Sequence, residues 1–150
     1  MSKVENCPIC LKHTQSDNKN NIYEDDHITV YHGPVESNLI GYLYIEPKRH
    51  VENWYEMTEQ EILKMSQMIK KLSGILKKEI DADRVYTVTI SEAVRHLHIH
   101  IIPRVENEVV KGLKLIEQVT QQKSDSDNGV SQKDIDVFIS ELKSKMIGFK

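Results

Sequence analysis

The sequence predicts an α+β fold, with an antiparallel sheet of about five strands, one long helix against it and a second helix near the C-terminus. Three observations support this prediction. Short segments with β-branched and aromatic residues are bounded by turn residues, which is typical of strands in a meander. Apolar residues recur at helical spacing over about 58–80. A second stripe of this kind lies over about 131–146.

The first part of the chain contains three strand candidates. The polar stretch from Lys12 to Asn21 is predicted to be a loop. Strands are predicted from Asn21 to Glu24 and from His27 to Tyr31, on the basis of their β-branched and aromatic content. The His32-Gly33-Pro34 break interrupts this pattern, and a buried strand is predicted from Leu39 to Glu46.

The long helix has a clear start and a continuous apolar stripe. Thr58 and Glu61 have the spacing of a capping box. The stripe behind them consists of Ile62, Met65, Ile69, Leu72, Leu76 and Ile80. Asp81-Ala82-Asp83 is predicted to end the helix, and further strands are predicted from Val85 to Ile90 and from His96 to Ile102, before Pro103.

The sequence loses strong pattern after Arg104. Lys123 to Gly129 has the composition of a solvated linker. Ser131 is a candidate N-cap for a terminal helix, which docks on the same chain or on a partner. Its apolar stripe consists of Ile135, Phe138, Ile139, Leu142 and Met146. We therefore expect 105–150 to be a C-terminal extension with a linker and a terminal helix.

Size and charge limit the classes of function. The 150 residues, 39% of them hydrophobic, suffice for one globular domain. A formal net charge of −3 gives no broad cationic surface for a nucleic-acid backbone, so no nucleic-acid partner is expected. A local site can still bind a small anion. The sequence lacks a stretch of about 18 apolar residues and an apolar signal segment, so we expect no membrane partner and a cytoplasmic location.

Three alternating histidines occupy the predicted strand from His96 to Ile102. Because side chains alternate between the faces of a strand, His96, His98 and His100 share one face at spacings of roughly 6.5 to 7 Å. The apolar residues between them face the core. Near neutral pH an imidazole can be a nucleophile, a proton carrier or a metal ligand. This strand is therefore the first candidate for a functional site.

Two other interpretations of the histidine strand stay open at this point. It could be a solvent-facing strand that is rich in histidine by chance, although three of the seven histidines alternate on one short segment. The three imidazoles could also bind a metal, as in zinc hydrolases, although the carboxylate or open-water machinery of such enzymes is not evident nearby.

The histidine strand and its surroundings resemble the histidine triad family. The pattern His-apolar-His-apolar-His-apolar-apolar matches the family signature strictly. Tyr23 to His27 resembles the family's early strand and turn, Ile45 to Val51 its proline-lysine-x-histidine segment, and Ile102 to Arg104 its strand exit. The resemblance covers roughly Cys7 to Arg104. It implies a HIT-like fold, with 1–104 as the histidine triad domain.

The resemblance implies phosphate chemistry on a nucleotide. In the family the middle histidine, here His98, attacks the α-phosphorus and forms a nucleotidyl-histidine that water or another acceptor cleaves. A backbone carbonyl orients its second nitrogen, while His96 and His100 bind phosphate oxygens or pass protons. The implied enzyme is a nucleotide phosphohydrolase or nucleotidyl transferase for dinucleoside polyphosphates, phosphoramidates or adenylylated adducts. No organic cofactor is expected.

Two segments depart from the family pattern. Members carry a glycine-glutamine-serine or threonine run before the triad, where this chain has a shorter loop containing Glu92 and Ala93. A phosphate donor is therefore missing at Ala93, and Glu92 would repel phosphate if ionised. Tyr42 stands where members usually place a histidine; it can donate a hydrogen bond but cannot shuttle protons near pH 7. We expect Tyr42, Glu92 and Arg95 to contact the substrate.

Cys7 and Cys10 form a Cys-Pro-Ile-Cys pair that supplies half of a tetrahedral zinc site. The family resemblance implies that His50 and His96 complete the site. A structural zinc would then fix the strand that presents His98 without contacting the substrate. A free reduced pair and a redox pair are the alternatives.

Three functions therefore compete. The first is the nucleotide hydrolase or transferase, and the second is a nucleotide-binding regulatory module with weak or no turnover. The third is a zinc-dependent hydrolase with the triad as ligands. The resemblance also implies a homodimer through the long helix, whose off-stripe residues Leu63, Met68 and Ile75 widen the apolar face. The alternative is that the terminal helix covers this second face.

Overall fold

A five-stranded antiparallel sheet organises the chain. The structure, a computed structural model, describes residues 5–15, 18–107, 109–123 and 129–149. The strands are β1 (Asn21–Glu24), β2 (Ile28–His32), β3 (Leu43–Pro47), β4 (Ala82–Val88) and β5 (Ile99–Val105). Their order across the sheet is β1-β2-β3-β5-β4, so β5, which carries His100, has a neighbour on each side. The predicted sheet of about five strands is confirmed.

Helices before, between and after the strands complete the fold. In the described ranges they are α1 (Pro8–His13), α2 (Glu59–Ile80), α3 (Gly112–Thr120) and α4 (Gln132–Lys145), with 3-10 turns at Val35–Ser37 and Trp54–Glu56. The long helix and the C-terminal helix are thus where the sequence predicts them. None of the helices in the described ranges is long and apolar enough to cross a membrane.

The capping box at the start of α2 is formed as predicted. The Thr58 hydroxyl accepts the backbone N–H of Glu61 at 3.1 Å, and the Glu61 carboxylate accepts the backbone N–H of Thr58 at 2.8 Å. Asp81 ends the helix in the left-handed region at φ 52°. β4 begins at the next residue, Ala82, whereas the sequence predicted a strand only from Val85. The single left-handed residue makes the whole turn.

The buried face of α2 differs from the predicted stripe. Met68 and Ile75, which the sequence placed off the stripe, are buried in the main core, whereas Ile62 is 40% exposed. That core also contains the terminal-helix residues Ile135, Phe138, Ile139, Leu142 and Met146. The off-stripe face is therefore covered largely within the same chain. Leu63, at 50% exposure, is the member of that set that remains at the surface.

Two strand boundaries were wrong for identifiable reasons. β3 begins at Leu43 rather than Leu39, because Gly41 adopts φ 90° and leaves the extended conformation. β5 spans Ile99–Val105, whereas a strand from His96 to Ile102 was predicted. It continues through Pro103, which pairs with Val85 of β4 and lies beyond the last residue paired with β3. A proline is tolerated where only one side of the strand is paired.

Two short helices were missed by the sequence analysis. α1 includes Lys12 and His13, which the polar composition had assigned to a loop. α3 lies in the segment after Arg104 that showed no strong pattern, although Leu115 and Val119 anchor it in a second apolar cluster. The predicted linker from Lys123 to Gly129 falls mostly outside the described residues. The division at 104/105 stays a prediction.

His32 is a buried neutral residue whose ring bonds to both ends of the connection between β2 and β3. Its Nδ1–H donates to the Gly33 carbonyl at 2.8 Å, and its Nε2 accepts the Gly41 N–H at 2.9 Å. Both ring nitrogens are therefore used by the neutral form, and protonation of Nε2 would break the second bond. Burial lowers the pKa of His32 below its ordinary 6.5, against the smaller opposing effect of the Gly33 carbonyl.

We expect the protein to lose stability as the pH falls below about 6.5, the pKa of an unfolded histidine. Below that pH the unfolded chain binds a proton at His32 that the folded chain does not. The free energy of unfolding then falls by up to about 1.4 kcal/mol per pH unit from this residue. Urea denaturation at pH 7 and pH 5 measures the slope. His32→Gln cannot titrate at this position, so its free energy of unfolding should change less steeply with pH, by the equivalent of about one bound proton. An unchanged slope would contradict the assignment.

Candidate active site and metal site

The alternation predicted for the histidine segment is present. Leu97, Ile99 and Ile101 are buried in the main core, and the histidines between them are directed away from it. His96 and His98 precede β5, and the backbone N–H of Leu97 donates to the Val51 carbonyl at 2.7 Å. Apolar burial therefore fixes the segment on one side and presents the imidazoles on the other.

Two hydrogen bonds hold His98, one at its ring and one at its backbone nitrogen. Its Nδ1–H donates to the carbonyl oxygen of His96 at 2.7 Å, and its backbone N–H donates to the Ser91 hydroxyl at 3.1 Å. With the hydrogen on Nδ1, Nε2 carries a free lone pair. The ring lies in the wall of a cavity of about 560 Å³. This is the geometry that a nucleophilic imidazole needs.

His100 stands beside His98 and is kept neutral. Their ring centres are 5.0 Å apart, and His100 Nδ1 is hydrogen-bonded to the Tyr42 hydroxyl at 2.7 Å. Burial, and then the proximity of His98, lower the pKa of His100 to about 4. His100 is therefore an uncharged hydrogen-bonding group near neutral pH, and it lines the same cavity.

The three predicted substrate contacts have different positions. Glu92 lines the cavity. Tyr42 is only 1% exposed and lies behind His100, and its ring packs so closely on Gly33 that a Cβ there would clash. Arg95 is outside the cavity lining and pairs with Glu52 at 2.9 Å. Tyr42 thus holds His100 in place rather than facing the cavity.

A buried ionic cluster forms another part of the cavity wall. Glu46 accepts hydrogen bonds from Lys12 at 2.7 Å and from His13 at 3.0 Å, and it is 2% exposed. Burial alone would raise the pKa of Glu46, but the His13 hydrogen bond and the Lys12 charge outweigh it and lower the pKa. The Lys12 ammonium also lies 3.9 Å from the centre of the Tyr31 ring. The cavity therefore has the Lys12–Glu46 ion pair on the side of α1.

The sequence analysis missed several cavity residues. Lys12 was assigned to a loop, and Glu46 was treated only as part of a strand, although Lys12 and Glu46 are both in the lining. Thr120 and Gln121, at the end of α3, also line it. A charged residue inside an apolar strand was an available signal for Glu46. No local pattern indicated that α3 would return to the histidines.

The predicted zinc ligands come together. Among the described residues, Cys7, Cys10, His50 and His96 form the one group with suitable ligand atoms, all within 4.8 Å of one another. Sγ of Cys10 lies 3.4 Å from Nδ1 of His50 and 3.5 Å from Nδ1 of His96. Tetrahedral zinc, with Zn–S of about 2.3 Å and Zn–N of about 2.0–2.1 Å, requires S to N separations of about 3.6 Å. The donor set therefore fits zinc.

His96 belongs to the metal site and also supports His98. Its Nε2–H donates to the Pro47 carbonyl at 2.8 Å, which directs Nδ1 to the cysteines. Burial lowers the pKa of His96 to about 4, so the ring is neutral, as a metal ligand must be. His98 and His100 are outside this group. The described residues therefore do not form the three-histidine metal site that the sequence had left open.

Comparisons with known proteins identify the family. The HIT domain matches residues 14–107. A HIT-like protein of Methanocaldococcus jannaschii is 34% identical over 97 residues, which are 60% of this chain and 74% of that protein. A hypothetical histidine triad nucleotide-binding protein of Sulfolobus tokodaii strain7 has a crystal structure with a TM-score of 0.62 and 26% identity, covering 96% of this chain and 99% of that one.

A zinc-bound histidine triad family protein from Mycobacterium smegmatis shares the fold, with a TM-score of 0.65 and 17% identity, covering 93% of this chain and 96% of that one. These similarities confirm the predicted α+β, HIT-like fold. The match over 14–107 covers more than half of the chain. The chain therefore belongs to the HIT domain family.

Proposed function

We propose that this protein is a nucleotide phosphohydrolase or nucleotidyl transferase that attacks the α-phosphorus of its substrate with His98. The observation that carries the proposal is the 2.7 Å hydrogen bond from His98 Nδ1 to the His96 carbonyl, in a ring that lines the cavity. It leaves Nε2 as a lone-pair donor. Dinucleoside polyphosphates and nucleoside phosphoramidates are the substrate classes that this chemistry suits.

The proposed reaction has two displacements on one phosphorus. The lone pair of His98 Nε2 forms a P–N bond while the P–O or P–N bond to the leaving group breaks. The leaving atom takes the electron pair and, where it is nitrogen, also a proton from solvent. Water, or another acceptor hydroxyl, then forms a new P–O bond, and its proton passes to solvent. The electron pair of the first P–N bond returns to Nε2. Throughout, Nδ1 keeps its hydrogen and its hydrogen bond to the His96 carbonyl.

Hydrogen-bond donors in the cavity lining support this reaction. Negative charge develops on the phosphoryl oxygens in the transition state, and fixed hydrogen-bond donors stabilise it best. His100 is neutral near pH 7 and is held by Tyr42. Lys12 supplies a positive charge on the α1 side of the cavity. His100 and Lys12 can therefore donate hydrogen bonds to a phosphoryl oxygen, while the ion pair with Glu46 offsets the charge of Lys12.

His98→Ala should reduce turnover by at least about three orders of magnitude, because removal of a nucleophile leaves only catalysis by binding. The measurement is product release from a panel of dinucleoside polyphosphates and adenosine 5′-phosphoramidate. Circular dichroism and thermal unfolding should match the wild type, since His98 is outside the core. A variant that keeps a tenth of the rate would exclude the covalent mechanism.

A second candidate function is a nucleotide-binding regulatory module with weak or no turnover. The observation that favours it is the Glu92 carboxylate in the cavity lining, together with Ala93, which offers no hydroxyl. The same panel separates the two functions. Binding by calorimetry without turnover, in protein carrying intact His98, would support the module.

We also propose a structural zinc on the two cysteines, His50 and His96. The S to N separations near 3.5 Å support it, and a structural neighbour is zinc-bound. When bound, the metal would be a structural cross-link between α1 and the segment before β5, and it would have no part in the displacement. Thiolate ligands need reduced cysteines, which agrees with the expected cytoplasmic location.

Purified protein should contain about one zinc per chain, as measured by metal analysis. Cys10→Ser should lose it, because three ligands hold zinc much less tightly than four. His98→Ala is the matched control, since this histidine belongs to the triad but not to the ligand group, and it should keep the metal. Chelator should lower Tm, by about 2–4 °C for each kcal/mol lost. Metal-free protein with unchanged Tm would contradict the site.

We retain the homodimer as a proposal, with a smaller interface than the sequence suggested. Ile62 and Leu63 are adjacent exposed apolar residues near the start of α2, at 40% and 50% exposure. Burial of such side chains against a second copy would stabilise a two-fold dimer.

Sedimentation equilibrium at micromolar concentration should give twice the 17.4 kDa chain mass. Leu63→Lys should shift the mass towards one chain, because it places a charge in the proposed interface. Val137→Lys, at a 51% exposed position of α4, is the matched control and should leave the dimer intact. Strictly monomeric wild-type protein, or equal effects of the two substitutions, would contradict this interface.

A further inference from the structure

The loop before the histidine segment contains a residue in an unusual backbone conformation. Ser91 has φ 52°, in the left-handed region that residues with a side chain rarely adopt. In the histidine triad pattern this position is the glycine of the run that precedes the triad, for which this conformation is easy. A side chain held here against its conformational preference, at the edge of a cavity, indicates a function for that side chain.

The hydroxyl of Ser91 contacts His98 and has a free proton. Its oxygen accepts the His98 backbone N–H at 3.1 Å and lies 3.4 Å from His98 Nδ1. That Nδ1 already donates its hydrogen to the His96 carbonyl, so it cannot accept one from Ser91. Among the described residues, the hydroxyl proton has no other acceptor. Ser91 lines the cavity, so this proton is available to a ligand there.

We propose that Ser91 is a catalytic residue that donates a hydrogen bond to a non-bridging phosphoryl oxygen of the substrate. This inference rests on the proposed function of His98. Ser91 and His98 line the same cavity, so a phosphorus attacked by His98 Nε2 lies in the space that the Ser91 side chain also borders. Ser91 would supply the donor that Ala93 lacks, from a position two residues earlier in the loop.

The proposed role requires no proton transfer. Bond formation from His98 Nε2 to phosphorus and departure of the leaving group proceed as described above, while Ser91 keeps its proton and shares it with the phosphoryl oxygen. The bond should strengthen as negative charge grows on that oxygen, so it acts mainly in the transition state. Its loss should therefore affect kcat more than KM.

Asparagine and aspartate at position 91 give the sharpest test. Both tolerate the left-handed region and have nearly the same shape, but the amide offers a donor where the carboxylate offers only acceptors. We expect Ser91→Asn to have at least about tenfold higher kcat than both Ser91→Asp and Ser91→Gly. The comparison with glycine isolates the donor, because the Asp carboxylate would also repel the phosphate. Ser91→Gly, which removes the hydroxyl and relieves the backbone, should lose about 100-fold in kcat, with KM changed less than about threefold.

The control is Asp81→Gly, at the exposed end of α2. It makes the same backbone change at φ 52°, far from the cavity lining, and should leave kcat unchanged. Assays use diadenosine triphosphate and adenosine 5′-phosphoramidate, and thermal unfolding accompanies each variant. A purely structural hydroxyl would lower Tm and kcat together, whereas a catalytic hydroxyl lowers kcat at a Tm close to the wild type.

The outcomes also separate this inference from the proposed function. If the wild type turns over and His98→Ala does not, while Ser91→Gly keeps half or more of kcat, the role of Ser91 is wrong and the function stands. Equal kcat for the Asn and Asp variants would also overturn the role, and that comparison holds even if the glycine variant is unstable. If the wild type turns over neither substrate and His98→Ala has the same activity, the proposed function fails, and this role fails with it.

Discussion

The hydrogen bond from His98 Nδ1 to the His96 carbonyl is the contact on which the candidate active site depends, because it decides which ring nitrogen is free. The position of that carbonyl is set by the His96 side chain, which is fully buried between the Pro47 carbonyl and the cysteines. One residue therefore connects the candidate metal site and the proposed nucleophile, through its side chain and its backbone. The apolar residues on either side of His98 are buried in the main core and hold the opposite face of the same segment.

The wall of the cavity comes from elements on both sides of the segment matched by the HIT domain. Lys12 lies before residue 14, and Thr120 and Gln121 lie after residue 107. α1 is anchored by its ion pair with Glu46, and α3 by Leu115 and Val119 in the second apolar cluster. The matched segment therefore contains the histidine that we propose as the reacting group, while the flanking helices complete the wall of the cavity beside it.

Periodicity and capping were enough to predict α2, α4 and the alternation of the histidine segment, because these features depend on local spacing. The boundaries of β3 and β5 were not predictable in the same way. Gly41 ends one by its dihedral angle, and sheet pairing carries the other through Pro103. In the site, the grouping of the candidate zinc ligands followed from residue type and the family resemblance. The inward position of the Tyr42 ring did not follow from the sequence, because it depends on packing of that ring against Gly33 across the sheet.

Glu92 and Ala93, the two departures from the family pattern in the loop before the triad, differ in their expected cost to the proposed reaction. Glu92 is 81% exposed and lies 3.7 Å from Arg95, so solvent and a nearby cation screen its charge. Exposed charges of this kind contribute about 0–1 kcal/mol. A missing donor at a phosphoryl oxygen costs about 3 kcal/mol of transition-state stabilisation, because the donor acts in a site with little water. The absent hydroxyl at Ala93 is therefore the more serious departure, and the hydroxyl of Ser91, 3.1 Å from the backbone nitrogen of His98, is the group positioned to replace it.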